Sequence, residues 1–181
     1  MLLEEILTFN QKFVESKSYQ QYATDSLPNK KAVILTCMDT RLVELLPKAL
    51  NFKNGDVKIV KSAGAILTDP YDSVMKSILI AIHALQAKEV FVVAHHDCGM
   101  NNLDTETLIT KMKSKGITED NLEQLPVNAS EWLEGFSHVD ESVKRSVSVI
   151  ESHPLLPEDI PVHGLVIDPH TGKLDLVIKG Y

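Results

Sequence analysis

Three short aliphatic runs constrain this chain more than anything else in it: Ala32–Cys37 (AVILTC), Val57–Lys61 (VKIVK) and Val90–His95 (VFVVAH). The first and third are apolar almost throughout and rich in branched side chains, as strands covered on both faces must be, and such strands belong to parallel sheets. Helical patterns lie around them. Leu2, Ile6, Phe9 and Phe13 recur at steps of four, three and four, which predicts an amphipathic helix at the start of the chain, ended before Leu27-Pro28-Asn29. RLVELLPKAL predicts a short helix broken near Pro47, and Asn54-Gly55-Asp56 a turn. Asp69 is placed to cap a helix with Pro70 in its first position and Tyr71, Val74, Met75, Ile78, Ile82 and Leu85 on one face. The polar text from Asn101 to Asn128 predicts one helix plus loop. Trp132, Phe136, Val139, Val143, Val147 and Ile150 predict one long helix, stopped by His153-Pro154. The runs HGLVID and KLDLVI flank Pro169-His170-Thr171-Gly172 as a hairpin. Strands alternating with helices give an α/β fold. The expectation is a single domain over residues 1–181, with a mainly parallel sheet of about four strands, an antiparallel edge strand and helices on both faces.

Composition narrows the function. Eighteen Lys and Arg stand against 25 Asp and Glu, a formal charge of −7, and no basic run is present, so nucleic acid is not an expected partner. No stretch has the ~18 continuous apolar residues of a membrane span. The opening MLLEEILTFN lacks the cationic start and apolar centre of a secretory signal. Two cysteines do not make a disulfide scaffold. A cytoplasmic protein is the expectation.

The chemistry-bearing residues fall at strand ends. Cys37 closes the first strand, His95 closes the third, and Cys98 follows three residues later. In open α/β sheets, ligand sites form beyond the carboxyl ends of strands, where the strand order reverses. If strands one and three are neighbours there, two thiolates and an imidazole converge, a set that zinc accepts while keeping a fourth position for water. Two cysteines could equally fill a core. However, both are followed by polar, turn-like text rather than by packing residues. Asp39 and Arg41 stand just beyond Cys37. Either Asp39 accepts the proton of a zinc-bound water, held ionised by the Arg41 guanidinium, or the two cap the next helix and face solvent.

Cys37-Met38-Asp39-Thr40-Arg41-Leu42, followed later by His95-His96-Asp97-Cys98-Gly99-Met100, resembles the β-class carbonic anhydrases, in a compact bacterial or archaeal form. Ser62-Ala63-Gly64-Ala65 sits where that family has Asn-Ala-Gly after its second strand, although Lys61-Ser62 replaces its more usual Arg-Asn. The resemblance runs from about Lys31 to Tyr181. It implies one zinc ion per chain on Cys37, His95 and Cys98, with Asp39 either pairing with Arg41 or taking the fourth zinc position. It also implies reversible hydration of carbon dioxide to bicarbonate by zinc hydroxide, aided by the Asp39–Arg41 dyad. The substrate then lies against Ala63, Gly64 and Gly99. A homodimer, or a multiple of dimers, is implied with the N-terminal helix, residues 1–24, as its arm. The same family fold hosts hydrolases of carbon disulfide and carbonyl sulfide, which is the alternative activity. A non-catalytic zinc-binding regulator, with Asp39 permanently on the metal, is the alternative outside enzymes.

Overall fold

The computed structural model describes all 181 residues. Helix α1 (Leu2–Glu15) opens the chain and is followed by a 3-10 turn at Ser18–Tyr22. Strand β1 (Ala32–Cys37), α2 (Leu42–Ala49), β2 (Val57–Ser62), a 3-10 turn at Ala63–Ala65, α3 (Ser73–His83) and β3 (Glu89–His95) follow. The second half runs through α4 (Thr105–Ser114), α5 (Glu119–Glu123), α6 (Ala129–Trp132) and α7 (Val139–Glu151), then β4 (Val162–Ile167) and β5 (Leu174–Ile178). The sheet order is β2-β1-β3-β4-β5, parallel except for the antiparallel β4–β5 edge. This is the expected α/β architecture.

Alternation along the buried strands divides the core in two. On one face, Val33, Leu35, Val90, Val92 and Ala94 pack with Met75 and Ile78 of α3 and with Val143, Val147 and Ile150 of α7. On the other, Ile34, Val93 and Ile167 pack with Leu42 and Leu46 of α2, and Cys37 and Cys98 lie in this layer. The two cores account for the stability of the fold, since apolar area removed from water is the main favourable contribution. α1 contributes nothing to either: none of its residues is buried, and it rests on the Ser18–Tyr22 turn, where Phe13 stacks on Tyr22 at 6.2 Å.

Several elements depart from the sequence-based expectation for local reasons. α2 continues through Pro47 to Ala49 instead of breaking there, anchored by the buried Leu42 and Leu46 that precede the proline. α3 begins at Ser73: Asp72 caps it by accepting the Met75 N–H at 2.8 Å. Asp69 instead accepts the Tyr71 N–H, which leaves Tyr71 in a turn and exposed. The polar stretch after Asn101 holds two helices, because Asp104 caps α4 and a reciprocal Thr118–Asn121 box caps α5. The long helix expected from Trp132 is two, α6 and α7. Between them Phe136 donates its N–H to the Met100 carbonyl at 3.0 Å, and a Cβ on Gly135 would lie 1.9 Å from that same oxygen. The chain leaves the helical path to pair with the loop that follows Cys98, a long-range contact that periodicity does not reveal.

Candidate metal centre

β1 and β3 are neighbours whose onward connections run to opposite sides, to β2 and to β4, so a crevice opens beyond their carboxyl ends. Cys37, the last residue of β1, is paired with Ser62 of β2. His95, the last of β3, is paired with Ile167 of β4. Asp97 has a φ of 52°, in the left-handed region, and this reverses the chain and returns Cys98 toward Cys37. The two Sγ atoms are 3.9 Å apart. With a His95 ring nitrogen, the three donor atoms lie within 4.8 Å of one another, and all three residues are buried.

The imidazole bears on what such a cluster could hold. His95 Nδ1 lies 2.7 Å from the His96 carbonyl, which can only accept, so the proton sits on Nδ1 and the lone pair on Nε2. That Nε2 is buried without a hydrogen-bond partner, the only such side-chain atom in the structure. Burying an unpaired acceptor is costly, and a metal ion relieves that cost. Two sulfurs and one nitrogen form a donor set suited to zinc, and fixing the tautomer through the other ring nitrogen is how metal-binding imidazoles are oriented. The residues therefore fit the ion.

The thiols are unequal. A hydrogen bond from Cys98 holds the Cys37 thiol well below the ordinary cysteine range despite burial, with His95 and the N–H groups of Asp39 and Gly64 facing the same sulfur. Cys98 is pushed up, first by sharing its proton with Cys37 and then by burial, against the Met100 N–H that faces its sulfur. A cation taking the place of the shared proton would hold both as thiolates.

Asp39 and Arg41 do not point apart into solvent. The Arg41 Nε and Nη2 groups donate to the two carboxylate oxygens at 3.1 and 2.8 Å, and the Arg41 backbone N–H donates to Oδ1 at 2.8 Å. Nη2 also donates to the Asp97 carbonyl at 3.0 Å, tying the β1 loop to the loop that bears Cys98. Arg41 pulls the Asp39 carboxyl down to about 2. Asp39 Oδ2 lies 3.7 Å from His95 Nε2, so the carboxylate edge faces the cluster. The Ala63–Ala65 turn forms the adjoining wall. Gly64 has a φ of 69°, and a Cβ there would lie 3.0 Å from the Met100 side chain, so conformation and crowding both favour glycine. Gly99 is open, with nothing within 4 Å of where a Cβ would stand.

Several contacts lay outside the sequence reading. The Asp97 carbonyl and the Met100 N–H act through the backbone and leave no side-chain signal. His96 turns away toward Asp175, at 3.7 Å, and His170 stands 3.5 Å from Asp97 on the β4–β5 turn.

The carbonic anhydrase family model matches residues 32–174, and the chain belongs to the β-carbonic anhydrase family. Among its relatives is the Bacillus subtilis protein named "Putative carbonic anhydrase YtiB", 54% identical, with the match covering 99% of this chain and 98% of that protein. A carbon disulfide hydrolase of Acidianus sp. (strain A1-3) is 30% identical, over 88% of this chain and 85% of its own. Among solved structures, β-carbonic anhydrase isoform I of Trichomonas vaginalis superposes with a TM-score of 0.92 at 34% identity, covering 100% of both chains.

Proposed function

We propose that this chain is a zinc-dependent enzyme that reversibly hydrates carbon dioxide to bicarbonate, with one zinc ion held by Cys37, His95 and Cys98. The observation that carries the reading is the buried, unpartnered His95 Nε2 beside two sulfurs 3.9 Å apart. A zinc ion there would supply Lewis acidity, lowering the pKa of bound water from 15.7 toward ~7. The chain's own residues do the positioning. Arg41 keeps Asp39 ionised, and Asp39 Oδ2, on the cluster side, accepts a hydrogen bond from the attacking water and so turns its lone pair toward the substrate carbon. Because the Gly64 N–H faces the Cys37 sulfur, Ala63 and Gly64 serve carbon dioxide mainly as a close, side-chain-free wall, while the open backbone at Gly99 is left to receive the developing oxyanion.

The exposed apolar face of α1 (Leu2, Ile6, Phe9) is assigned to a second copy of the chain, giving a homodimer. No helix is long and apolar enough to cross a membrane. Two buried free thiols suit the reducing cytoplasm.

The carbon disulfide hydrolase relatives support a second reading, hydrolysis of that linear molecule at the same centre. Stopped-flow hydration with a pH indicator, run on zinc-loaded protein beside a sulfide-release assay, separates the two. Hydration abolished by Cys98→Ser supports the first reading. Sulfide release without hydration replaces it, and neither activity refutes both.

A further inference from the structure

The inward face of α7 consists of Val143, Val147 and Ile150, interrupted by Ser146, which is 1% exposed. A hydroxyl buried in an apolar layer destabilises a fold unless it is bonded on both sides. Ser146 Oγ accepts the Leu67 N–H at 3.1 Å and donates to the Ala65 carbonyl at 3.3 Å. Those two backbone groups lie at the exit of the Ala63–Ala65 turn, far from Ser146 in sequence. The turn itself is unusual. Gly64 and Ala65 are consecutive residues in the left-handed region, at φ 69° and 57°, and Ala65 carries the Cβ that disfavours it. Such backbone persists where its surroundings hold it. Ser62 Oγ grips the same turn from its entry side, donating to the Ile66 carbonyl at 3.1 Å. The turn starts directly after Ser62, the strand partner of Cys37, and Gly64 packs against Met100 of the loop that bears Cys98.

We propose that Ser146 is a positioning residue for the metal centre: by clamping Ala65 and Leu67 it holds the left-handed turn that forms the wall between the end of the Cys37 strand and the loop bearing Cys98. This rests on Cys37 being a zinc ligand. Alanine at 146 leaves the Leu67 N–H and the Ala65 carbonyl without partners in the core. The turn then relaxes toward ordinary backbone, and the wall beside Cys37 and the Cys98 loop shifts with it. Partners that orient a ligand from behind are worth about 10–100-fold in metal affinity, which sets the expected size.

The test compares Ser146→Ala with Val147→Ala, which removes packing from the same helix face without touching the turn. Zinc affinity is measured by chelator competition on protein shown by circular dichroism to be folded, and the Gly64 amide is followed by NMR. Ser146→Ala should bind zinc about tenfold more weakly or worse, with the Gly64 amide resonance displaced, and Ser146→Thr, which keeps a hydroxyl, should recover most of the affinity. Val147→Ala should lower the thermal midpoint and leave zinc affinity and the Gly64 amide unchanged. Should Ser146→Ala not fold, Ser62→Ala, gripping the turn from its other end, is expected to shift both readouts in the same direction. Wild-type affinity and an unmoved Gly64 amide in the folded variants would overturn the proposal, as would an equal loss of affinity in Val147→Ala. A wild-type chain that binds no zinc removes the metal reading and this proposal together, whereas zinc binding indifferent to Ser146 and Ser62 removes this proposal alone.

Discussion

Replacing Arg41 by alanine tests the geometry beside the metal centre in the most direct way. Arg41 holds the Asp39 carboxyl at about 2, against an ordinary value of 3.8. At ~1.4 kcal/mol per pH unit, that difference caps the contribution of the pair at ~2.5 kcal/mol. The side chains are 36% and 19% exposed, so solvent screening reduces it to ~1 kcal/mol. The folded-state value lies below the unfolded one. The contribution is therefore full above pH ~4, falls to about half near pH 3, and is gone once pH drops through about 2. Urea unfolding of wild type and Arg41→Ala should differ by ~1 kcal/mol at pH 7 and by visibly less at pH 3. Carboxyl-carbon NMR of zinc-free protein should show the Asp39 midpoint rising from about 2 toward 3.8 in the variant. If the proposed function holds, hydration by zinc-loaded protein should fall sharply as well, because a carboxylate released from Arg41 would compete for the fourth zinc position. A variant with an unmoved Asp39 midpoint, and a stability difference equal at both pH values, would refute the reasoning.

Three further outcomes follow from the same structure. Cys98→Ser and Cys37→Ser each remove one of the three donors, so elemental analysis of purified protein should find roughly one zinc per chain in wild type and little in either variant. Because the apolar stripe of α1 is unburied within the chain, Ile6→Asp with Phe9→Asp should convert a wild-type dimer to a folded monomer in sedimentation experiments. A wild type already monomeric at micromolar concentration counts against the α1 assignment. Gly135→Ala drives a Cβ to 1.9 Å from the Met100 carbonyl oxygen, and should lower stability by ~1–3 kcal/mol through forced backbone movement, read as a drop in thermal midpoint. An unchanged midpoint there would mean that the α6–α7 junction yields freely.

Much of this protein was legible in one dimension. Runs such as AVILTC and VFVVAH can hardly be anything but strands buried on both faces, and that implied a parallel sheet with crossover helices. The same reasoning placed Cys37 and His95 at strand ends, where such sheets gather ligands. Boundaries were less legible because local signals compete. Asp69 and Asp72 are both good caps, and only the packing of Met75 and Ile78 decides which one starts α3. The stripe from Trp132 to Ile150 reads as one helix, because helical periodicity carries no record of Phe136 bonding to Met100.

At the site, the sequence by itself determined which side chains were available, two thiols, an imidazole, a carboxylate and a guanidinium, and that the strands would deliver them to one edge. Tertiary structure alone decided their state. The His95 lone pair is on Nε2 because Nδ1–H donates to the His96 carbonyl, Arg41 holds Asp39 while anchored on the Asp97 carbonyl, and Ser146 bonds the exit of the Ala63–Ala65 turn. Residue type specifies what a group can donate or accept. The partner it meets is set by contacts between backbone and side-chain atoms that can be 80 positions or so apart, as Ser146 is from Ala65 and Leu67, and these leave no periodic trace in the chain.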